Sequence, residues 1–267
     1  MRGTNMPFDM RGVIFDIKEF AVHDGGGVRT TVFCKGCPMR CLWCHNPEGQ
    51  SPRPELMEKS GCVRCGRCRI PCAHTDCAPY HRCLHACPKG LLRVAGESWD
   101  AEELAKKLAR DKALYDMSGG GVTLSGGEVL YQPDFAAELL DRLGAYGIHR
   151  AIETAGYASA EIFQTIAARC DFVYCDLKLV DDRLHRAYTG VSNAPILENI
   201  AWLRRSGIPY RLRTPLIPGY TDTEENLSAI RAMTTPGEVE YLAYNRLAGA
   251  KYKQLGRVYP LESGAKN

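Results

Sequence analysis

The distribution of cysteines is the feature that most constrains this chain. Eleven of its 13 cysteines fall between Cys34 and Cys87, and the most closely spaced run reads Cys37-Pro-Met-Arg-Cys41-Leu-Trp-Cys44. Three thiolates at this spacing can bind three irons of a [4Fe-4S] cube and leave the fourth iron without a protein ligand. The run therefore predicts an iron–sulfur centre with one iron open to a further ligand.

A structural zinc site is the alternative for the same cysteines. Cys34 and Cys37 form one C-x2-C pair, and Cys41 and Cys44 form another, a pattern typical of tetrathiolate zinc. However, only three residues separate the two pairs, whereas zinc ribbons place about 15 to 20 residues between them. The short separation favours the cluster, and Cys34 is then predicted to pack beside it as a small apolar residue.

A second group of cysteines predicts auxiliary iron–sulfur clusters. Its first run has the spacing of bacterial ferredoxins and consists of Cys62, Cys65, Cys68 and Cys72. Its second run keeps the same intervals, with Tyr80 at one ligand position, and consists of Cys77, Cys83 and Cys87. The fourth cysteine of each ferredoxin run binds the other cluster, so one complete cube would use Cys62, Cys65, Cys68 and Cys87.

The remaining three cysteines of this insert lack a fourth partner. A second auxiliary cluster would have Cys72, Cys77 and Cys83, and it would either hold three irons or take a fourth ligand from Asp76, His81 or Tyr80. The sequence thus predicts one or two auxiliary clusters, with zinc as the alternative for the insert.

Length and charge restrict the class of protein. The 267 residues, 45% of them hydrophobic and 24% charged, suffice for one large α/β core. The net charge is only +3, and no block of lysine and arginine indicates a nucleic-acid surface. No apolar run has the length of a signal peptide or of a membrane span. We therefore expect a cytoplasmic protein that binds neither nucleic acid nor membrane, and whose clustered thiols bind metal.

The hydrophobic pattern predicts a parallel sheet. After residue 95, apolar strands alternate with amphipathic helices, and six strands are predicted at residues 30–35, 121–125, 150–154, 172–177, 210–216 and 240–244. Asp100, Pro133 and Asn193 are expected at the starts of three of the helices. Six βα units are two short of a closed (β/α)8 barrel. The predicted fold is α/β, a partial (β/α)6 TIM-like barrel with a small cysteine-rich, ferredoxin-like insert.

Three segments follow from this reasoning. Residues 1–60 would form the N-terminal part of the barrel with the cluster loop, residues 61–95 the ferredoxin-like iron–sulfur insert, and residues 96–267 the remainder of the barrel. Polar motifs lie at the strand ends, where barrel enzymes place their active sites. The main ones are Ser125-Gly-Gly-Glu128, Glu153-Thr-Ala-Gly156, Asp176-Leu-Lys178, Arg213 and Tyr244-Asn245. Taken singly, a turn explains the first motif as well, and a surface ion pair explains the third.

Taken in order, the motifs resemble those of the glycyl radical enzyme activating enzymes. These form a branch of the radical S-adenosylmethionine superfamily that includes the pyruvate formate-lyase activating enzymes. The resemblance begins at Asp24-Gly-Gly-Gly-Val-Arg29 and ends at Gly249-Ala-Lys-Tyr252 and Leu255-Gly256. It implies that Cys37, Cys41 and Cys44 hold the catalytic cluster, whose open iron binds S-adenosylmethionine. The cofactor would further contact Trp43, Cys44, His45, Gly126, Gly127, Glu128, Asp176, Leu177, Lys178, Arg213 and Asn245.

The resemblance also implies an activity. The reduced cluster would split S-adenosylmethionine into methionine and a 5′-deoxyadenosyl radical, and the radical would take hydrogen from a glycine Cα of a partner glycyl radical enzyme under anaerobic conditions. A flavodoxin- or ferredoxin-type protein would supply the electron. Asp24 would meet the partner's glycine loop, with a turn-forming role as the alternative. The chain departs from the family at Asn245, where many members have histidine, and at Gly26, where proline is usual.

Two other functions fit part of the pattern. A radical enzyme that acts on a small molecule or peptide would share the cluster, although peptide-modifying members tend to carry further cysteines after the barrel, and none follows Cys175 here. A ferredoxin-like electron carrier without catalysis would leave the strand-end motifs unexplained.

Overall fold

The computed structural model describes residues 10–21, 25–245 and 247–262. Asp24, expected to meet the partner, lies outside these residues. The strands of the described chain are β1 (Arg11–Ala21), β2 (Arg29–Cys34), β3 (Glu55–Glu58), β4 (Leu92–Ala95), β5 (Glu97–Asp100), β6 (Gly121–Gly126), β7 (Arg150–Thr154), β8 (Phe172–Asp176), β9 (Tyr210–Leu216) and β10 (Val239–Ala243). Its α-helices are α1 (Ala101–Leu108), α2 (Lys112–Ser118), α3 (Pro133–Ala145), α4 (Ala160–Ala167), α5 (Asp182–Thr189), α6 (Ala194–Ser206), α7 (Glu224–Met233) and α8 (Ala248–Gln254).

A mixed sheet dominates the fold. Its strand order is β10-β9-β8-β7-β6-β2-β1-β5, and the six strands from β10 to β2 are parallel. All six predicted parallel strands are therefore present, four of them with ends displaced by one residue. β1 pairs antiparallel with both β2 and β5. These two strands were not predicted, because their polar residues give no clean apolar pattern, and β5 in addition pairs only with a strand distant in sequence.

The core lies between the sheet and its helices. Strand residues Val32, Leu124, Ile152, Val173 and Leu212 are buried on one face of the sheet. Helices α1, α3, α4 and α6 cover that face with Leu104, Leu108, Leu139, Leu143, Phe163, Ile166, Ile200 and Leu203. Since side chains alternate along a strand, the residues between these positions point to the opposite face. That second face carries the candidate site.

Two of the three helix starts that the sequence predicts are confirmed, and the third differs. The carboxylate of Asp100 accepts from the backbone N–H groups of Glu102 and Glu103, and Pro133 opens α3. Asn193 precedes α6, but its side chain makes no capping hydrogen bond. Its amide instead donates to the carbonyl oxygens of Leu179 and Val180, at 3.1 and 2.7 Å. The expected Asn193 side-chain cap is therefore wrong, because a tertiary contact takes the amide.

The cysteine-rich segment leaves the sheet through a small hairpin. β3 and β4 pair antiparallel, and the chain between them contains every cysteine from Cys62 to Cys87. Short 3-10 turns at Arg67–Arg69 and Thr75–Tyr80 are its only regular elements among the described residues. The hairpin, which was not predicted, ties both ends of the segment together. None of the helices in the described ranges is long and apolar enough to cross a membrane.

Candidate active site

The three cysteines predicted to hold the catalytic cluster lie on a loop that the rest of the fold holds by its backbone. This loop follows β2 and carries Cys37, Cys41 and Cys44. On one side, the N–H groups of residues 36 and 37 donate to the carbonyl oxygens of residues 49 and 50, at 2.8 and 3.2 Å. On the other side, residues 40 and 42 donate to residues 189 and 188 at the end of α5, at 2.7 and 3.0 Å. Backbone hydrogen bonds to two other segments therefore hold the loop on both sides.

Side chains between the cysteines anchor the loop further. Trp43 is buried with Leu179 and Ile217, which follow β8 and β9. Cys44 packs against the C-terminal cluster formed by Ala248, Tyr252 and Tyr259. The ammonium group of Lys251 lies 2.7 Å from the buried carboxylate of Glu48 and 2.8 Å from Asn46 Oδ1. The C-terminal helix α8 thus supports the loop, a role that sequence reasoning did not assign.

The glycine pair after β6 is required by backbone packing. A Cβ atom on Gly126 would lie 2.4 Å from the backbone of Cys34, and one on Gly127 would lie 2.3 Å from the carbonyl oxygen of Gly49. The N–H of Gly127 donates to Cys34 O at 2.9 Å, and that of Glu128 donates to Gly36 O at 2.8 Å. These contacts bring the end of β6 against the cluster loop.

One cavity of about 250 Å³ brings most of the predicted residues together. It lies where β6, β7, β8 and β9 end. The predicted residues that line it are Cys37, Cys41, Trp43, Cys44, His45, Gly126, Gly127, Asp176, Lys178 and Arg213. Segments that are up to 205 positions apart in sequence, from Cys37 to Leu242, thus meet around one cavity.

Charged side chains occupy two places in this cavity. Lys178 is buried and ion-paired with Asp176. Burial alone would lower the pKa of the Lys178 ammonium, but Asp176 and Cys41 outweigh it and raise that pKa. The guanidinium of Arg213 lies 2.5 Å from Glu153 and stacks 3.6 Å from the ring centroid of Tyr174. A ligand that carries both an ammonium and a carboxylate group therefore finds opposite charges within one cavity.

Residues that were not predicted as site residues surround Arg213 in the second of these ion pairs. The hydroxyl of Ser125 donates a hydrogen bond to the carboxylate of Glu153 at 2.6 Å, and Arg213 also donates to Glu240 at 2.9 Å. Ser125 and Glu153 both line the cavity. The strand-end motifs that contain them were recognised, but neither residue was assigned a role. Their position at a strand end was the available signal.

His45 has an unpartnered polar atom at the cavity. Its Nε2 is buried and is one of four buried side-chain polar atoms that lack a hydrogen-bond partner in the described chain. Its ring lies 6.1 Å from that of Tyr244. Burial, and then the charge of Lys251, lowers the pKa of this imidazole, so the neutral ring is favoured. A buried polar atom without a partner is costly, and a bound ligand would satisfy it.

Burial affects the ionisation of the three thiols, whereas their spacing is what suits a metal cluster. Burial is the largest cause that raises the pKa of Cys37 and of Cys41, in each case to about 12, and it also raises the pKa of Cys44. Without a metal, all three would be protonated near neutral pH. Iron would stabilise the thiolates that this buried lining disfavours. The Cys-x3-Cys-x2-Cys donor set therefore fits a [4Fe-4S] cluster with one open iron.

Three of the expected residues lie outside the lining of this cavity. Glu128 is buried, and its carboxylate accepts from Thr154 Oγ1, Ala155 N and Leu130 N, at 2.6, 2.8 and 3.1 Å. Leu177 is buried in the main core. Asn245 lines an adjacent cavity of about 550 Å³, which shares His45, Asn46, Ser125, Glu153, Arg213 and Leu242 with the first. The two cavities therefore adjoin, and the second is the larger.

The insert arranges its seven cysteines in two sets. One set lines a cavity of about 30 Å³ and consists of Cys62, Cys65, Cys68 and Cys87, which is the set that the ferredoxin spacing predicts. Arg82 donates to Cys68 Sγ at 2.9 Å and to Glu58 at 2.8 Å. The other three, Cys72, Cys77 and Cys83, lie together with His74.

Known proteins resemble this chain in sequence and in fold. Residues 31–229 match the family model of the radical SAM superfamily. The chain is similar to an isethionate sulfite-lyase activating enzyme of Oleidesulfovibrio alaskensis (41% identity, covering 94% of this chain and 89% of the relative) and to a choline trimethylamine-lyase activating enzyme of the same organism (38%, covering 95% and 90%). The crystal structure of Streptococcus suis SuiB bound to precursor peptide SuiA shares the fold, with a TM-score of 0.50 and 14% identity over 82% of this chain and 39% of that one.

Proposed function

The chain belongs to the radical SAM superfamily and, within it, to the glycyl radical enzyme activating enzymes, and on that premise we propose that it activates a partner enzyme by abstracting hydrogen from a partner glycine Cα. The observation that carries this proposal is the cavity of about 250 Å³ in which Cys37, Cys41 and Cys44 face the ends of four parallel strands. A ferredoxin-like electron carrier would not need such a cavity beside its cluster.

Cys37, Cys41 and Cys44 would hold the cluster, and the charged lining would hold S-adenosylmethionine. When bound, these two groups supply one-electron chemistry that ends in hydrogen-atom abstraction. Lys178 and Arg213 offer cations to the carboxylate of the methionyl part, while Asp176 and Glu153 offer anions to its ammonium and sulfonium. Gly126 and Gly127 present backbone to the same part, and the buried carboxylate of Glu128 supports them from behind by accepting from Thr154 and Ala155.

The adenine would lie against Trp43, Cys44 and His45. The unpartnered Nε2 of His45 gives a polar adenine edge a hydrogen-bond partner. Asn245 faces the adjoining cavity and can donate or accept but cannot titrate. Leu177 would act through packing, because it fixes the strand end between Asp176 and Lys178.

The larger cavity is the proposed place for the partner's glycine loop. It adjoins the cofactor cavity and is open to solvent beside Leu247, which is 77% exposed. A peptide loop inserted there would bring a glycine Cα next to the cofactor and would exclude water from the site. We propose Asp24 as a residue that meets this loop.

The six parallel strands and their helices are inferred to form a partial (β/α)6 barrel, with the cysteine-rich segment as a ferredoxin-like insert. Cys62, Cys65, Cys68 and Cys87 would bind an auxiliary cluster that relays an electron from a flavodoxin- or ferredoxin-type protein. The donation from Arg82 to Cys68 would stabilise the thiolate. A reducing cytoplasm suits both the clusters and the free thiols.

The test is anaerobic activation of a partner. Reduced protein and S-adenosylmethionine are mixed with each of several glycyl radical enzymes, including an isethionate sulfite-lyase and a choline trimethylamine-lyase. We expect an electron paramagnetic resonance doublet, from coupling to the remaining Cα hydrogen, with one of them. Deuteration of glycine in the partner should collapse the doublet.

The control is the same partner with its radical-bearing glycine replaced by alanine, which should give no signal. The proposal fails if S-adenosylmethionine is cleaved and a small molecule or peptide is modified, while no partner acquires a glycyl radical. In that case the chain would be a radical enzyme of another substrate class.

A further inference from the structure

The second half of the insert brings four ligand atoms together around one point. Cys72, His74, Cys77 and Cys83 each offer one atom, and these atoms all lie within 4.8 Å of one another. Cys83 Sγ is 3.7 Å from Nδ1 of His74. The cysteines of this set were expected to bind metal, but His74 was not among the residues considered as the fourth ligand.

The spacing of these atoms suits one ion better than a cube. Zinc binds sulfur at about 2.3 Å and imidazole nitrogen at about 2.0–2.1 Å, so ligand atoms on one zinc lie roughly 4 Å apart. A cube places four irons between its ligands and holds the ligands farther apart. In the described chain, the set Cys62, Cys65, Cys68 and Cys87 forms no such compact group, although its members line one cavity. The two halves of the insert therefore differ in the size of centre they fit.

From this difference we propose that Cys72, His74, Cys77 and Cys83 form a tetrahedral site for a single divalent ion, with zinc as the expected occupant. Three thiolates and one imidazole are an established donor set for structural zinc. His81 belongs to no compact group of His, Cys, Asp and Glu ligands among the described residues. In the ferredoxin spacing, Tyr80 stands where a cysteine ligand is expected. With His74 as the fourth ligand, the site does not need a thiol at that position.

Neighbouring groups support this set without joining it. The backbone N–H of Leu84 donates to Cys77 Sγ at 3.2 Å, a contact that stabilises a metal-bound thiolate. Asp76 and His85 also lie near Cys77, but they bond to each other at 2.8 Å and both are 53% exposed. The His85 ring lies 4.5 Å from the His74 ring. This pair therefore orients His74 from outside the site.

The two halves of the insert would then have different roles, one in electron transfer and one in structure. The Cys62 set would carry the only auxiliary redox centre, since zinc has a single stable oxidation state in proteins. The zinc site would hold the second half of the insert against the first. The two halves are already joined where the N–H of Cys83 donates to Cys68 O at 2.7 Å.

Metal analysis of the whole protein tests the site. Protein produced with zinc and iron available, then purified anaerobically, should contain one zinc per chain together with iron and sulfide for two cubes. His74→Ala should lose the zinc and keep the iron and sulfide. The matched control His81→Ala should keep all three, and His74→Cys should restore zinc through a fourth thiolate.

Cobalt substitution gives a second readout. Cobalt in the wild-type site should show the intense visible and near-ultraviolet absorption of tetrahedral thiolate coordination, and His74→Ala should weaken and shift it. The proposal is overturned if the wild type holds iron and sulfide for three cubes without zinc. It is equally overturned if His74→Ala loses iron and sulfide, or if it leaves the zinc content unchanged. The cluster signal of the Cys37 loop, measured in each variant, monitors correct folding.

Discussion

The Cys37 loop and the cysteine-rich insert lie in contrasting structural settings. In the loop, backbone hydrogen bonds to residues 49, 50, 188 and 189 and the buried Trp43 set the conformation. In the insert, Cys65 and Cys72 are exposed, and short 3-10 turns are the only regular structure between β3 and β4. Protein packing therefore supports the loop, whereas the insert has few such contacts, and we expect its shape to depend on metal.

The largest expected effect is the loss of S-adenosylmethionine cleavage when the cysteines of the loop, but not those of the insert, are replaced. Replacing Cys37, Cys41 and Cys44 together with alanine should abolish cleavage of S-adenosylmethionine, because only this set adjoins the cofactor cavity, and should leave the insert's metal in place. Anaerobic reconstitution, iron counting and detection of 5′-deoxyadenosine measure both. Cys170→Ala, which alters a buried cysteine outside the site, is the control. Residual 5′-deoxyadenosine from the triple variant would disprove the assignment.

Metal removal should separate the regions by stability. After chelation, backbone amides of residues 61–90 should lose hydrogen-exchange protection by orders of magnitude, whereas those of β6 to β9 should keep theirs. The reason is that the sheet has its own apolar core and the insert has almost none. Hydrogen exchange followed by mass spectrometry of the metal-free and metal-loaded protein measures this. Equal loss of protection in both regions would show that the sheet also depends on metal.

Arg213→Met should weaken binding of S-adenosylmethionine at the ends of the parallel strands and leave the insert unaffected. It removes a cation held by Glu153 and Glu240 at the cavity and leaves those carboxylates without it. Charge-assisted hydrogen bonds contribute about 1.5–3 kcal/mol, so affinity for S-adenosylmethionine should fall about 10- to 100-fold. Equilibrium binding measures the change, and the insert's metal content should stay constant. Arg211→Met, on the same strand but outside the cavity lining, is the matched control; an equal loss there would refute a direct role.

The smallest expected effect concerns the first helix after the insert. Asp100→Ala removes the acceptor for two N–H groups of α1 and should lower the free energy of unfolding by about 1 kcal/mol, without change in the insert's metal content. Asp111→Ala, at the start of α2, is the control because Asp111 makes no capping hydrogen bond. Chemical denaturation of both variants measures the difference. Similar losses would mean that charge rather than capping is responsible.

The sequence was informative wherever a local pattern carries the signal. Strands β7 and β9 were placed without error, and the cap at Asp100 was found, because periodicity and capping residues act over a few positions. Strand β1 escaped because its polar residues interrupt the apolar pattern. Strand β5 and the small hairpin escaped, since their pairing partners lie far away in sequence. The Asn193 side chain was misplaced for the same reason.

By itself, the sequence predicted the ligand chemistry and determined the alternation of strands and helices, because cysteine spacing and hydrophobic periodicity are local properties. Only the tertiary structure decided which side chains meet. It links Ser125 and Arg213 through Glu153. It also places Glu128 behind the cavity and His74 beside three cysteines. Such contacts depend on the register of strands and the path of loops. These are set by packing over the whole molecule, which no short stretch of sequence encodes.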